Sequence, residues 1–280
     1  MKRGYLQILL AAALFLLALG LTLYPVVSNW YIGRHQSRIQ TEYREVLEQT
    51  DSAEIESIRE SAVAYNKTIT PGAAEEAYSQ ASIRAASEDY VNQLNVSGSG
   101  IMGYVEIPKI GVDLPIYHGT GADSLDRGTG HLLGSSLPVG GESTHTIITG
   151  HSGMASQKMF TDLEQLREGD IFYLHVLDET LAYEVREIHT VLPHDTTYLG
   201  IEPGEDLCTL VTCTPYGINS HRLLVRGYRI ANAVSAQRIP ADAVQIDIVI
   251  VVLAVAVVIL LAGGILWFLV RRIYERKGGR

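Results

Sequence analysis

The two cysteines of the chain are the first residues whose placement suggests chemistry. Cys208 and Cys213 stand five positions apart in a segment whose alternation is typical of a β-strand. An odd separation along a strand points two side chains to opposite faces, so we expect no disulfide between them. Cys208 is expected to be a small buried side chain on the inner face. Cys213 ends the strand beside the loop signal Thr214-Pro215-Tyr216-Gly217, which makes its thiol the candidate nucleophile.

A thiol nucleophile needs a base or a lowered pKa, and its acyl intermediates need a donor for the oxyanion. Arg222 lies nine positions after Cys213, so pairing of the two strand-like segments would bring its guanidinium close to the thiol. His151 follows an apolar strand and is flanked by two glycines, and His118 has a similar setting. The residues alone therefore leave either imidazole as the base. Alternation turns His221 to the face opposite Arg222.

Other polar residues are interpreted as structural. Arg226 and Arg229, in the same strand-like segment as Arg222, are expected to be exposed arginines without a role. The histidines form no short pair with metal-ligand spacing, the cysteines lack zinc spacing, and no run of carboxylates has calcium-loop spacing. The sequence therefore predicts neither a metal nor another cofactor.

A β-structure is expected to position these residues. From Met102 onward, segments alternate apolar with polar residues and are separated by Gly, Asp and Pro turns. The predicted strands are Gly103–Ile107, Val112–Tyr117, His145–Thr149, Ile171–Val176, Leu181–Ile188, Thr209–Cys213 and Leu223–Ile230. Only Met154–Leu166 is expected to be helical between them. Many short strands with few helices indicate a mainly β fold, either a closed barrel or a sandwich.

A helical arm precedes the strands. Apolar residues recur at three- and four-residue spacing from Arg34 onward, which predicts an amphipathic helix. Thr70-Pro71-Gly72 breaks this helix, and a second helical pattern covers Ala73 to Leu94.

Two apolar runs near the chain ends predict membrane helices. Leu6–Tyr24 follows a basic start, and Ile248–Val270 carries no charge and precedes a basic tail. Each is near the roughly 20 apolar residues that a membrane span needs. A cleaved signal peptide is the alternative for the first run, although no small-residue cleavage site precedes Tyr31. Because basic flanks stay in the cytoplasm, both termini are expected there and the intervening domain outside the cell membrane.

Composition narrows the class of protein. Hydrophobic residues make up 47 % and charged residues 19 % of the 280 residues, which fits membrane spans attached to a globular domain. Two cysteines exclude a disulfide-rich scaffold. The net charge of −9 argues against nucleic acid as the main partner.

Two motifs around Cys213 and Arg222 resemble the signature of sortases, specifically the pilus-assembling class C. They are Thr209-Leu210-Val211-Thr212-Cys213-Thr214-Pro215-Tyr216-Gly217 and Asn219-Ser220-His221-Arg222-Leu223-Leu224-Val225-Arg226-Gly227. Further matches, in the same order along the chain, are Met102–Ile110, Leu114–Thr120, the Thr149-Gly150-His151 loop and Phe160-Thr161-Asp162-Leu163. The resemblance covers about Asn95 to Ile230, and a second, C-terminal span is also a feature of that class.

The resemblance implies an eight-stranded β-barrel with Cys213 as the nucleophile, His151 as the general acid or base, and Arg222 as the oxyanion-binding or substrate-orienting group. His118 falls in a family motif but not at the catalytic position. The implied reaction is transpeptidation, in which the Cys213 thiolate attacks the Thr–Gly carbonyl of an LPXTG-like sorting signal. A pilin lysine amine then resolves the thioacyl-enzyme. The implied partners are pilin or surface proteins on a Gram-positive-type cell surface.

The sequence departs from the class C pattern before the barrel. Members of that class usually carry a lid with an Asp-Pro-aromatic motif, which is absent here. The nearest candidate is Glu76-Ala77-Tyr78-Ser79, in which Glu76 and Tyr78 keep the spacing. We hypothesise that this segment covers Cys213, held more loosely because Ala77 does not fix the backbone as proline would. The alternative is that Tyr78 is a core residue of its helix.

The predicted layout assigns each part of the chain. It comprises a cytoplasmic start (1–4), a transmembrane helix (5–27), the helical arm with a degenerate lid (28–95), the catalytic barrel (96–232), a linker (233–245), a second transmembrane helix (246–270) and a basic cytoplasmic tail (271–280). A housekeeping-type sortase that anchors proteins to the cell wall and a thiol hydrolase of the same fold are the alternative functions. An inactive binding module is disfavoured because Cys213, His151 and Arg222 are intact.

Overall fold

A computed structural model of the protein describes residues 2–70, 72–79, 87–153 and 157–231, together with positions 260, 263, 264 and 267. Its contacts divide the chain into two units. The first comprises Met1–Gly33, Ala155–Gln157 and Gln245–Arg280, and the second comprises Arg34–Met154 and Lys158–Val244. The strands all belong to the second unit, which carries every candidate catalytic residue.

Helix α1 (Lys2–Gln49) includes the first predicted membrane span, 5–27. Within the described part of the chain, no helix combines the length and apolar character that crossing a bilayer requires. The second predicted span, 246–270, lies outside the described residues except for the four isolated positions, and the linker (233–245) and tail (271–280) lie wholly outside them. Both spans therefore stay predictions.

The helical arm is more divided than the sequence pattern predicts. After α1 come α2 (Ser52–Asn66), α3 (Ala73–Ser79) and α4 (Glu88–Asn92), with residues 80–86 outside the described part. The break between α1 and α2 arises at Asp51, whose extended backbone and side-chain bond to the Ala53 N–H make it an N-cap. The predicted break around Thr70-Pro71-Gly72 is confirmed, because α2 ends before it and α3 begins after it.

Eight strands form a closed barrel, so the barrel expectation is confirmed over the sandwich. They are β1 (Ile101–Ile107), β2 (Val112–His118), β3 (Thr129–His131), β4 (Thr144–Thr149), β5 (Ile171–Val176), β6 (Glu179–Val191), β7 (Asp206–Thr214) and β8 (His221–Arg229). Their order around the barrel is β1-β2-β3-β4-β7-β8-β6-β5, with β2–β3 and β4–β7 parallel. A short helix, α5 (Ala122–Leu125), lies between β2 and β3.

Two sequence expectations within the barrel need correction. Strand β3 was not predicted, because three residues with a central glycine show no apolar alternation. The described part of the expected helix Met154–Leu166 contains only a 3-10 helix at Thr161–Gln165, and residues 154–156 lie outside the described part.

The side chains of the strands divide between two faces. The main core, which fills the barrel, takes Cys208 and Leu210 from β7 and Val225 from β8. A second cluster lies on the outer face, and we call it the outer cluster. Its members are Ala74, Leu132, Ile147, Val191, Leu199, Val211 and Leu224, with Tyr78 and Tyr198 packed against them.

The arm is fixed to the barrel by buried polar contacts. The Tyr43 hydroxyl of α1 donates to the Met102 carbonyl (3.1 Å) and accepts from the Leu177 N–H (3.1 Å). Burial raises the pKa of Tyr43 to about 12, so this phenol remains a neutral donor. From Arg34 onward, the arm is thus part of the same folded unit as the catalytic barrel.

Candidate active site

Cys213 lies near the end of β7, half-buried, with its thiol free. It shares the outer face with Val211, two residues earlier, whereas Cys208 is fully buried in the main core. The predicted opposite orientation of the two cysteines is therefore confirmed. Burial raises the pKa of the Cys208 thiol well above its ordinary value, which makes Cys208 a poor nucleophile.

Arg222 is the direct cross-strand neighbour of Cys213. Strands β7 and β8 are antiparallel, and their register pairs Cys213 with Arg222 and Val211 with Leu224. Directly opposed residues on one face have Cβ atoms about 4.5–5.5 Å apart, so the side chains of Cys213 and Arg222 start beside each other. The Arg222 guanidinium is held by Nη1, which donates to the Asn219 carbonyl at 3.2 Å and to the His221 carbonyl at 3.1 Å. The sequence-based pairing of Cys213 with Arg222 is confirmed.

The loop after β4 is bonded to the same strand end. Strand β4 runs parallel to β7, and the Gly150 N–H donates to the Val211 carbonyl at 3.0 Å. The Thr212 hydroxyl donates to the Gly150 carbonyl at 2.7 Å, and the Ser152 hydroxyl donates to the Cys213 carbonyl. These bonds lie on both sides of His151 in the chain, so its backbone is held beside Cys213.

Close packing and one carboxylate define the immediate surroundings of His151. A Cβ on Gly150 would lie 2.7 Å from the Phe160 ring, so only glycine allows this approach. The Phe160 N–H donates to the His151 carbonyl at 2.9 Å. Nε2 of His151 lies 3.8 Å from Oδ1 of Asp126, beyond hydrogen-bond distance.

His118 occupies a different environment from His151. Its Nδ1 lies 2.9 Å from the Gly100 carbonyl and its Nε2 lies 2.7 Å from the Gln93 carbonyl. Both ring nitrogens are thus engaged by backbone oxygens that join the arm to the end of β2. Between the two imidazoles that the residues alone could not separate, the geometry places His151 at the Cys213 strand.

Tyr78 reaches the catalytic pair from helix α3. Its hydroxyl lies near the Arg222 side chain and the Cys213 thiol, close enough for both groups to influence the pKa of Tyr78. Burial raises the pKa of Tyr78 and the Arg222 charge opposes this rise. Glu76, the other residue of the lid candidate, is exposed.

Glycines on two sides allow α3 to lie close against the barrel. A Cβ on Gly134, in the β3–β4 connection, would lie 2.5 Å from the Ala73 carbonyl oxygen and 3.2 Å from the Ala77 Cβ. A Cβ on Gly200, in the β6–β7 connection, would lie 3.0 Å from a carboxylate oxygen of Glu75. Helix α3 therefore occupies a groove on the outer face that leads to Cys213.

The sequence reasoning missed Arg226. It was expected to be exposed without a role, but it is only 4 % exposed and is bonded to residues of two other segments. Arg229 is half-buried, with its Cζ 5.7 Å from the centre of the Tyr183 ring. Arg226 lies four positions after Arg222 in β8, so strand alternation places both side chains on the same face. This alternation is the one sequence signal for the location of Arg226.

The sortase-domain family model matches residues 105–230. The crystal structure of sortase C from Streptococcus pneumoniae is 48 % identical, with a TM-score of 0.64, over 69 % of this chain and 97 % of that one. Sortase C-1 from Actinomyces oris is 44 % identical, with a TM-score of 0.59, over 63 % of this chain and 99 % of that one.

A curated relative is more distant. Sortase D of Bacillus subtilis is 30 % identical over 131 residues, which are 46 % of this chain and 63 % of that protein. The chain thus spans less than two thirds of the length of this curated relative, but almost the whole of the two crystal structures. The chain belongs to the sortase family, and its strong structural matches include sortases C.

Proposed function

We propose that the protein is a membrane-anchored cysteine transpeptidase that cleaves an LPXTG-like sorting signal and joins it to a pilin lysine. The observation that carries this proposal is the pairing of Cys213 with Arg222, beside the bonded His151 loop. A pilin as acceptor is supported by the similarity to S. pneumoniae sortase C, whose structure is described in terms of pilin substrate specificity.

In the first half-reaction, the Cys213 thiolate attacks the carbonyl carbon between Thr and Gly of the sorting signal. The carbonyl oxygen becomes an oxyanion, which the Arg222 guanidinium stabilises by charge-assisted hydrogen bonds. The C–N bond then breaks while His151 gives its proton to the departing glycine nitrogen. The products are a thioacyl-enzyme and the free C-terminal fragment.

In the second half-reaction, a lysine Nζ attacks the thioacyl carbon. His151, now neutral, accepts the proton that the amine loses, and Arg222 again stabilises the oxyanion. The C–S bond breaks and restores the Cys213 thiolate. The product is an isopeptide bond between the threonine carboxyl and the lysine amine.

Helix α3 acts as the lid of this site. Because α3 fills the outer-face groove and Tyr78 holds Arg222, a peptide reaches Cys213 only after α3 moves away. The contact of Tyr78 with Arg222 supports the lid hypothesis over the alternative in which Tyr78 serves only the helix core. The α3 segment lacks the Asp-Pro-aromatic motif, and in it the Tyr78 hydroxyl serves as the partner of Arg222.

The apolar runs at 5–27 and 246–270 anchor the protein in the cell membrane as two spans, with both termini cytoplasmic and the barrel outside. Anchoring confines the enzyme and membrane-held precursors to one surface. This confinement raises the effective concentration of each substrate for the other.

Mass spectrometry tests the proposed reaction directly. The full chain in detergent micelles is incubated with an LPXTG peptide and a lysine-containing pilin domain. We expect an acyl adduct on Cys213 and a lysine-linked product, both absent in Cys213→Ala and both retained in the matched control Cys208→Ala. An adduct that yields only hydrolysed peptide would favour the hydrolase, and products in Cys213→Ala would refute the assignment of the nucleophile.

A further inference from the structure

The connection between β6 and β7, residues 192–205, forms one wall of the groove that α3 occupies. We call it the β6–β7 loop. Leu199 of this loop is buried in the outer cluster beside Val211 and Leu224, and Gly200 faces Glu75 of α3. A peptide that replaces α3 on the way to Cys213 would lie against the same wall. The position of the β6–β7 loop therefore sets how such a peptide is held.

Arg226 bonds this loop to the barrel. Its Nη2 donates to the Tyr198 carbonyl at 2.6 Å, and its Nη1 donates to the Glu202 carboxylate at 2.5 Å. Nη1 also lies 3.4 Å from a carboxylate oxygen of Glu187, the residue paired with Arg226 across β6 and β8. A charge this buried is retained in proteins when it is paired and hydrogen-bonded, and here two of the three partners belong to the loop.

His145 of β4 holds the loop at a second point. Its Nδ1 lies 2.7 Å from the Gly200 carbonyl, which can only accept, so Nδ1 carries the proton. Nε2 then accepts from the Thr209 hydroxyl at 2.7 Å. The backbone carbonyls of Tyr198 and Gly200, both in the β6–β7 loop, are thus hydrogen-bonded to buried side chains on the outer face of the barrel.

We propose that Arg226 is a positioning residue for the substrate, which fixes the β6–β7 loop as the wall against which the sorting-signal peptide lies. This inference rests on the proposed transpeptidase function. Arg226 does not touch the reacting atoms, because Leu224 stands between it and Arg222 on the outer face. Its loss therefore weakens peptide binding without impairing the chemistry at Cys213.

The test compares Arg226→Met with the matched control Arg186→Met. Arg186 is an exposed arginine of β6 whose ion-pair partner, Glu184, lies on the same strand and not in the loop. Both variants are made in a Tyr78→Ala background of the full chain, so that lid closure does not enter the comparison. Steady-state cleavage of an LPXTG peptide gives KM and kcat, and a small alkylating reagent gives the reactivity of Cys213.

For Arg226→Met we expect KM to rise about tenfold, the effect of losing charge-assisted hydrogen bonds. We expect kcat and the alkylation rate to stay within about twofold of the control. Arg226→Lys should rescue only part of the loss, because one ammonium does not reproduce the planar fork that reaches Tyr198 and Glu202 together. Glu202→Gln removes the loop's half of the ion pair at a partly exposed position and should raise KM in the same direction.

Hydrogen exchange of residues 192–205 gives an independent readout that needs no turnover. We expect faster exchange of this segment in Arg226→Met than in Arg186→Met. Equal exchange, or equal KM values for the two variants, would overturn the proposal. If the Tyr78→Ala parent forms no product, the proposed function fails instead, and the exchange measurement still decides whether Arg226 holds the loop.

Discussion

Replacing Tyr78 with phenylalanine removes one hydroxyl and keeps the ring that packs against the outer cluster. The Arg222 side chain lowers the pKa of this hydroxyl, which places the two groups near each other, and we expect a hydrogen bond between them. Hydrogen bonds to charged groups contribute about 1.5–3 kcal/mol. If this bond holds α3 over Cys213, its loss raises the population of the open protein by about ten- to a hundredfold.

The rate of Cys213 alkylation measures this population, because a small reagent reacts with the thiol when α3 is away. We expect Tyr78→Phe to accelerate alkylation by the same ten- to hundredfold factor, approximately, and Tyr78→Ala to accelerate it further. Tyr216→Phe is the matched control, since it removes a hydroxyl from an exposed tyrosine in the loop after Cys213. If Tyr78→Phe were alkylated at the same rate as the control, the Tyr78 hydroxyl would not be the group that holds α3 closed.

The same contact has a defined pH dependence. Burial raises the pKa of Tyr78 above its ordinary value of 10.0, so the docked lid favours the neutral phenol. The contribution of the phenol to closure is complete below its free pKa and is lost as the pH rises through the raised pKa. The ratio of alkylation rates between Tyr78→Phe and the unaltered protein should therefore be constant between about pH 6 and pH 9. A change of that ratio within this range would contradict the idea that the neutral phenol of Tyr78 holds α3 closed.

The remaining predictions concern packing and buried groups. Gly134→Ala should open the lid, because its Cβ would lie 2.5 Å from a backbone oxygen of α3, and faster alkylation of Cys213 is the expected result. Since the φ of Gly134 is +90°, the alanine is also strained in the open protein, and the melting temperature should fall. Burial lowers the pKa of His131 and of His145 from 6.5 to about 4, so each favours the neutral folded form. The contribution of each neutral histidine to the free energy of unfolding is complete above pH 6.5. It falls by roughly 3 kcal/mol for each residue as the pH drops toward 4, which chemical denaturation at a series of pH values checks. Under native conditions one equivalent of alkylating reagent should label Cys213 alone, and labelling of Cys208 should require unfolding, as peptide mapping would show.

The catalytic pair was predictable because strand parity is a local property. An odd separation put Cys208 and Cys213 on opposite faces, and a short loop between two strand-like segments made antiparallel pairing of Cys213 with Arg222 the expected arrangement. Neither inference needed knowledge of the rest of the barrel. The register confirms both of them.

Other features depend on tertiary structure that no local pattern encodes. Strand β3 exists because it pairs with β2 on one side and β4 on the other, although its three residues lack strand periodicity. The burial of Arg226 arises because the β6–β7 loop folds back over the outer face, whereas the sequence shows only the face on which the residue lies. The spacing of residues alone left His118 and His151 both open, and the resemblance favoured His151; the parallel pairing of β4 with β7 is the tertiary feature that brings the His151 loop to the Cys213 strand.

The contact between Tyr78 and Arg222 has a consequence for how closure inhibits the enzyme. If α3 is the lid, the closed protein has Tyr78 beside both the thiol and the arginine that the proposed reaction needs for the oxyanion. A small alkylating reagent requires only access to Cys213, whereas a peptide requires both access and a free Arg222. Tyr78→Phe should therefore increase peptide cleavage at least as much as it increases alkylation. If alkylation rose while peptide cleavage did not, release of Arg222 would not limit turnover, and the lid would act by covering the thiol alone.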